Sequence, residues 1–198
     1  GFNNVNKQNL GFGTQAADLD RDGWLDLLVL NGHTDDFTFR GEPFHMKAEC
    51  YAGGPNGFRK LEETSLGEYF SRLTVGRVLT TLDWNNDHKV DFVATHLDVP
   101  HALLENVSQD GNFIRLRLVG TQSDRDATGT KVTFKGGGES WTHWLMRGNG
   151  FSCSNQAFVD LGLGSVDQLD EIHVTWPNGM TQTFTDISAN QSYLAIEN

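Results

Sequence analysis

The stretch DLDRDGWLDLLVLNG, residues 18–32, decides the fold because an acidic loop runs directly into an apolar segment. Four aspartates lie within nine positions: Asp18, Asp20, Asp22 and Asp26. Over residues 25–30, apolar side chains fill most positions of both alternating sets, as in a strand that is buried on both faces. The carboxylates either surround a cation or form an acidic turn that water solvates.

The spacing of the acidic residues favours a cation. Calcium takes about six to eight oxygen ligands, and carboxylates at alternate positions of a tight loop converge on one point. The aspartates hold positions 1, 3, 5 and 9, Gly23 permits a sharp turn at position 6, and the Trp24 carbonyl adds an oxygen at position 7. Asp26 is expected to bind through both carboxylate oxygens. Because all-oxygen ligation favours calcium over zinc or copper, the loop predicts a Ca2+ site.

A solvated turn would have to hold these like charges together without compensation. Each pair of carboxylates about 4 Å apart repels by about 4 kcal/mol at an effective dielectric of about 20. The loop is also not an EF-hand, because Val29 stands at position 12, where an EF-hand has a glutamate, and the flanking segments have the pattern of strands.

The acidic loop recurs 65 residues later. The segment GFGTQAADLDRDGWLDLLVLNG begins at Gly11, and GRVLTTLDWNNDHKVDFVATHL begins at Gly76. In the second copy the predicted ligands are Asp83, Asn85, Asp87, the Lys89 carbonyl and Asp91. Because Asn85 is an amide and His88 replaces the turn glycine, the second loop is expected to bind calcium more weakly. The alternative for it is a relic loop that keeps the turn without the ion.

The strand pattern predicts an all-β fold with two parts. Each repeat, with the segments that follow it, predicts a four-stranded antiparallel sheet of about 60 residues or fewer, like a blade of a β-propeller. From residue 112, seven short strands alternate with glycine or Asn-Gly turns, which predicts a small antiparallel β-sandwich. The predicted domains are residues 1–110, two propeller-type blades that form a partial propeller, and residues 111–198, the sandwich.

Both parts resemble known families. The segment GFG…DLDRDGWLDLLV resembles the FG-GAP or VCBS repeat, the calcium-loop blade of integrin-type β-propellers, and the second copy is similar with the departures named above. The segments NFIRLRLVGTQSDRDATGTKVTF, GNGFSCSN, LGLG, DEIHVTWPNG and NQSYLAIEN resemble the ASPIC/UnbV domain. That domain follows FG-GAP repeats in cartilage-acidic-protein-like chains and in many bacterial secreted proteins.

The resemblance implies a calcium-binding propeller joined to a small β-domain in an extracellular, periplasmic or cell-surface location. Two blades cannot close a ring of about four to eight. The resemblance therefore also implies a longer protein, of which this chain is the C-terminal part and from which N-terminal blades are missing.

Charge and motifs narrow the function classes. A net charge of -11 disfavours nucleic acid as a partner, and no apolar run approaches the roughly 18 residues that span a membrane. No GxSxG, HExxH, P-loop or Rossmann glycine pattern occurs, so an enzyme is not expected. The sequence predicts a calcium-stabilised, non-catalytic interaction or adhesion module whose partner is a protein or a glycan. The alternative is a carbohydrate- or small-molecule-binding accessory domain of an enzyme or biosynthetic assembly.

Two further residue pairs leave alternatives open. Trp141 and Trp144 lie three positions apart in a strand-like segment and should point to opposite faces, one into the core and one toward solvent. The exposed one would contact either a sugar or a protein surface. Cys50 and Cys153 either pair in an oxidising compartment or remain separate buried thiols.

Polar residues near the second loop are expected to have no ligand role. His96 and His101, with Asp98 between them, are interpreted as surface residues at a strand end.

The sequons that begin at Asn106 and Asn190 matter only in a eukaryotic secretory pathway.

Overall fold

The computed structural model describes residues 9–108 and 111–198, so the predicted domain boundary at residue 110 falls outside the described residues. In these two ranges the backbone forms fourteen strands in four sheets, with short 3-10 turns as its only helical elements. The predicted all-β class is therefore confirmed. Among the described residues, no helix has the length and apolar character needed to cross a lipid bilayer.

Contacts divide the described residues into two units. The first contains the two repeats, except residues Asp20–Gly23 of the first acidic loop, together with the segment Gly148–Asn155. Its sheets are antiparallel, with strand orders β1-β2-β3-β4 and β5-β6-β7, so the first copy has the predicted four strands and the second has three in its described part. The strands are β1 Gly11–Ala17, β2 Asp26–Asn31, β3 Glu49–Ala52, β4 Arg59–Lys60, β5 Gly76–Leu82, β6 Asp91–His96 and β7 Ala102–Leu104.

The sequence repeat is also a structural repeat. In β1 and β2, Gly11 lies opposite Asn31, and in β5 and β6, Gly76 lies opposite His96. All other paired positions of the two hairpins also differ by 65 residues, and both hairpins have an irregularity directly after the first glycine. Two sequences with different loop residues therefore fold to the same register.

The two sheets of the first unit share one apolar core. Leu28 and Leu30 of β2 pack with Leu79 of β5 and with Phe92 and Ala94 of β6, and all five are buried. Because the strand-like residues of both repeats contribute to this core, burial of apolar area holds each acidic loop at the end of a rigid hairpin.

The second unit contains the seven strands that the sequence predicted. They form two sheets, with orders β10-β9-β12-β13 and β11-β8-β14, around a core that includes Phe134, Ile172 and Trp176. The strands are β8 Asn112–Val119, β9 Lys131–Gly136, β10 Glu139–Trp144, β11 Val159–Gly164, β12 Gln168–Thr175, β13 Thr181–Ser188 and β14 Gln191–Ile196.

One pairing differs from the predicted antiparallel sandwich. Strand β14 runs parallel to β8, with Gln191 opposite Ile114 and Ile196 opposite Val119. A tight hairpin forces antiparallel pairing only between neighbours in one sheet. Because β13 and β14 belong to different sheets, the short connection between them leaves the direction of β14 relative to β8 unconstrained, and the prediction was wrong at this strand.

Candidate functional site

The first acidic loop joins β1 to β2 and brings three carboxylates together. One oxygen from each of Asp18, Asp20 and Asp22 lies within 4.8 Å of the others. The backbone turns through positive φ at Arg21 and Gly23, at 63° and 93°. Gly23 therefore occupies the left-handed conformation that the sequence assigned to it, because a glycine reaches this region without a steric cost.

Asp26, the fourth predicted ligand of this loop, has a different environment. Its side chain is buried, the Leu19 N–H donates to Oδ2 at 2.8 Å, and the Gly53 N–H donates to Oδ1 at 2.8 Å. A Cβ on Gly53 would lie 2.2 Å from the Leu25 carbonyl oxygen, so only glycine allows this close approach. Because each oxygen already accepts a main-chain hydrogen bond, the geometry indicates that Asp26 braces the loop, and binding through both oxygens stays a prediction.

The second acidic loop joins β5 to β6 and also brings three carboxylates together, at a different set of loop positions and with deeper burial. Oxygens of Asp83, Asp87 and Asp91 lie within 4.8 Å of one another, and Asp91 is fully buried. Asn86 and His88 have positive φ, at 60° and 66°, at the positions of the two left-handed residues in the first loop. His88 therefore adopts the turn conformation of Gly23, although histidine enters this region less readily.

Asp91 has partners of the same kind as Asp26, and the partner from the loop itself is shifted by one repeat. The Trp84 N–H donates to its Oδ2 at 3.0 Å, as the Leu19 N–H does to Asp26, and the Asn106 N–H donates to its Oδ1 at 2.8 Å. The ninth position of both loops thus combines a carboxylate with two main-chain donors, one from the loop itself and one from a later segment.

The remaining predicted ligands of the second loop hold one another in place. The main-chain N–H groups of Asp87 and His88 donate to the two oxygens of Asp83, at 3.1 and 3.0 Å. The Asn85 amide lies 3.2 Å from Asp87 Oδ2 and 3.2 Å from Glu105 Oε1, and it donates to both. Replacing a carboxylate by an amide therefore supplies donors between acidic groups and reduces their repulsion.

Asn106 connects the two loops, a role that the sequence did not predict. Its main-chain N–H binds Asp91, and its side-chain Nδ2 donates to the Leu19 carbonyl oxygen in the first loop at 2.9 Å. The sequence marked Asn106 only as the start of a sequon, and no local pattern indicates a partner 87 residues earlier.

The donor set fits a hard cation. The side chains that converge in each loop offer carboxylate oxygens, with the amide oxygen of Asn85 beside them in the second loop, and neither cluster contains a histidine nitrogen or a thiol. Trp24 and Lys89 lie in the turns just before β2 and β6, and their carbonyl oxygens stay predicted ligands. Oxygen donors of this kind are those that calcium and magnesium prefer.

Comparison with known proteins bears on the second unit, whose strands β9 to β14 and C-terminal segment follow the predicted pattern. Residues 120–198 match the family model described as ASPIC and UnbV. The match supports the ASPIC/UnbV assignment of the C-terminal domain, and the FG-GAP or VCBS assignment of the repeats stays a prediction. No curated protein matches the chain.

In the ASPIC/UnbV region the two tryptophans of β10 divide as predicted. Trp141 is partly buried and packs against the core, whereas Trp144 is 58% exposed, with Lys131 Nζ 6.0 Å from its ring centre. Trp176 is buried and its indole N–H donates to the Gln182 side chain. Of these three residues, Trp144 is therefore the one that offers an aromatic surface to a ligand.

His96 lies at the end of β6 remote from the second loop and is buried, so its interpretation as a surface residue was wrong, whereas His101 is exposed as interpreted. His96 is buried, its Nδ1 lies 3.0 Å from the Pro100 carbonyl oxygen, and its Nε2 lies 2.8 Å from the Tyr69 hydroxyl. The carbonyl can only accept, so Nδ1 carries the proton and the hydroxyl donates to Nε2. Burial raises the pKa of Tyr69 to about 12, which keeps this donor protonated.

The two cysteines are separate thiols. Burial raises the pKa of Cys50 to about 11, with a further contribution from the Asp26 carboxylate, and burial also raises the pKa of Cys153. The Cys153 thiol donates to the Leu79 carbonyl oxygen at 3.2 Å. Because the thiolate is the reactive form, both environments favour packed, unreactive side chains.

Proposed function

We propose that the protein is a calcium-stabilised, non-catalytic interaction or adhesion module that acts outside the cytoplasm. Its repeats would be FG-GAP or VCBS-type propeller blades, and its partner a protein or a glycan rather than nucleic acid. The observation that carries this proposal is that the same loop of two hairpins with the same register holds three converging carboxylates, at positions 1, 3 and 5 in the first loop and at positions 1, 5 and 9 in the second. A solvated acidic turn gives no reason for such a recurrence.

In this proposal each loop binds one calcium ion with its own set of ligands. Bound calcium would offset the repulsion among carboxylates that otherwise opposes the closed loop. Asp26 and Asp91, through their main-chain donors, hold the loop backbone so that the cluster is assembled before an ion arrives. The proposed ligands are Asp18, Asp20, Asp22, Trp24 and Asp26 in the first loop, and Asp83, Asn85, Asp87, Lys89 and Asp91 in the second.

An ion that binds only the folded state must raise the melting temperature. At a free concentration about 100 times Kd, one site stabilises by about 2.7 kcal/mol. For a chain of this size, about 1 kcal/mol corresponds to roughly 2–4 °C, so one saturated site is expected to raise Tm by about 5–11 °C.

Differential scanning calorimetry in EDTA and in millimolar calcium tests the proposal. The Asp20→Asn/Asp22→Asn double variant should lose the calcium-dependent rise that belongs to the first loop. Asp170→Asn, an exposed aspartate of β12 outside both clusters, is the matched control and should keep the whole rise. A melting temperature that is the same in EDTA and in calcium would contradict the structural role of the ion.

Exposed Trp144 favours a second candidate, a carbohydrate-binding accessory domain. It lies on β10, an edge strand, with a lysine beside its ring, and an exposed aromatic face can stack on an apolar sugar face. Glycan-array binding that is lost in Trp144→Ala and kept in Phe39→Ala, which removes a more exposed aromatic ring of the first unit, would support it. Array binding that survives Trp144→Ala would exclude this residue as the platform.

A further inference from the structure

Glu197 is the most buried charged residue of the ASPIC/UnbV region, residues 120–198, with an exposed fraction of only 2%. Three consecutive main-chain N–H groups, those of Thr121, Gln122 and Ser123, donate to its Oε2 at 2.8, 2.8 and 2.7 Å. The Ser123 hydroxyl and the Asn178 amide donate to Oε1 at 2.8 and 2.7 Å. All five donors are neutral groups.

The parallel pairing of β8 and β14 explains why these groups meet. Parallel strands end at the same edge of a sheet, so the loop that follows β8 lies beside the residue that follows β14. The Glu197 N–H continues the ladder by donating to the Val119 carbonyl oxygen at 3.0 Å, and the Thr121 hydroxyl donates to the Glu197 carbonyl oxygen at 2.9 Å. Asn178 arrives from the turn between β12 and β13 in the opposite sheet.

Successive main-chain N–H groups that point into one concavity bind anions without a cationic side chain. Burial alone would raise the pKa of Glu197, but the hydrogen bonds from Ser123, Gln122 and Thr121 outweigh burial and hold the pKa at about 2. The loop of residues 121–123 therefore stabilises the charged form of a carboxylate, as an anion-binding site does.

We propose that residues 121–123, together with Asn178, form a carboxylate-binding site whose resident ligand is the Glu197 side chain, and that the site binds small free carboxylates when this side chain is removed. The resident carboxylate joins the end of β14 to both sheets of the sandwich. The site is independent of the acidic loops and of calcium.

Chemical rescue of Glu197→Ala tests this site. The substitution removes the carboxyl group and leaves the five donors, so Tm should fall by several degrees. Sodium formate or acetate, titrated at constant ionic strength against sodium chloride, should restore part of the loss with a saturable dose dependence. The wild-type protein should not respond, because its site is filled.

Two variants make the rescue specific. Glu171→Ala removes a carboxylate whose partner is the Lys135 ammonium at 3.1 Å on the surface of the sandwich, and formate should not restore its Tm beyond the chloride control. Adding Asn178→Ala to Glu197→Ala removes a donor and should weaken the apparent affinity for formate. Rescue of Glu197→Ala by chloride as strongly as by formate, or no rescue by either, would overturn the proposal.

If Glu197→Ala does not fold, the proposal is tested by measuring amide hydrogen exchange in Glu197→Gln. This variant keeps the length of the side chain but replaces the charged acceptor by a neutral amide, whose single oxygen accepts more weakly and whose NH2 group cannot accept. The amides of residues 121–123 should then exchange at least about tenfold faster than in wild type, while those of β9 and β12 keep their protection. Unchanged exchange at residues 121–123 would overturn the proposal.

Discussion

The two acidic loops have the same backbone but different side chains. The first has four aspartates and a glycine at the tight turn, whereas the second has an amide and a histidine at the corresponding positions. Both nevertheless have left-handed residues at the same two positions, and both are braced by an aspartate that binds two main-chain N–H groups. The comparison teaches that aspartates that accept main-chain N–H groups, above all the bracing aspartate, fix the loop backbone, which therefore tolerates the exchanges of Asp20 for Asn85 and of Gly23 for His88.

The largest expected effect comes from removing the bracing aspartates. Asp91→Ala and Asp26→Ala each leave two main-chain N–H groups without their acceptor, at about 1–3 kcal/mol for each group that stays buried. We expect a loss of roughly 2–6 kcal/mol in the free energy of unfolding for Asp91→Ala, and a smaller loss for Asp26→Ala, whose side chain is less buried. Urea unfolding measures both.

Asp170→Ala is the control for these two variants, since its side chain is exposed on β12. It should change the free energy of unfolding by less than about 0.5 kcal/mol. Bracing variants that are as stable as this control would show that the loops hold their shape without Asp26 and Asp91.

An intermediate effect is expected from exchanging the turn residues. Gly23→Ala places a Cβ at a φ of 93° and should lower stability by about 1–2 kcal/mol, whereas His88→Gly should raise it by about 1 kcal/mol by removing the cost of a left-handed histidine. Thermal denaturation of both variants measures the difference.

Gly148→Ala serves as the control for the turn variants, because its φ is not positive and its Cβ would enter open space. If His88→Gly destabilises the protein, the histidine side chain contributes more to the second loop than its backbone conformation costs.

The smallest effect is expected from breaking the connection between the loops. Asn106→Ala removes the hydrogen bond to the Leu19 carbonyl oxygen but keeps the main-chain bond to Asp91, so stability should fall by about 0.5–1.5 kcal/mol. Asn56→Ala, an exposed asparagine of the β3–β4 turn, should leave the urea midpoint unchanged. Equal urea midpoints for the two variants would show that the Asn106 side chain does not stabilise the connection between the loops.

Features that depend on nearby residues were predictable from the sequence. The alternating patterns predicted the seven strands of the second unit, and the recurrence of aspartates 65 residues apart predicted two similar strand–loop–strand units, which the structure forms with the same register. The carboxylates of the first cluster were also predictable, because Asp18, Asp20 and Asp22 are close in sequence and the turn at Gly23 is a local property of glycine.

Features that depend on distant partners were not predictable. The bracing role of Asp26 requires Gly53, that of Asp91 requires Asn106, and the buried carboxylate of Glu197 requires the loop after β8. Periodicity within one segment contains no information about these donors. The parallel direction of β14 was missed for the same reason, since it depends on which sheet the strand joins.

The most direct test of the account is isothermal titration calorimetry with calcium on the folded chain. We predict two sites, the tighter one in the first loop, with Asp20→Asn/Asp22→Asn leaving only the weaker site and Asp87→Asn leaving only the tighter one. Asn85→Asp, which restores the missing carboxylate, should tighten the second site. Titration without detectable calcium binding, or with a stoichiometry that none of these variants changes, would contradict the claim that the two loops are calcium sites.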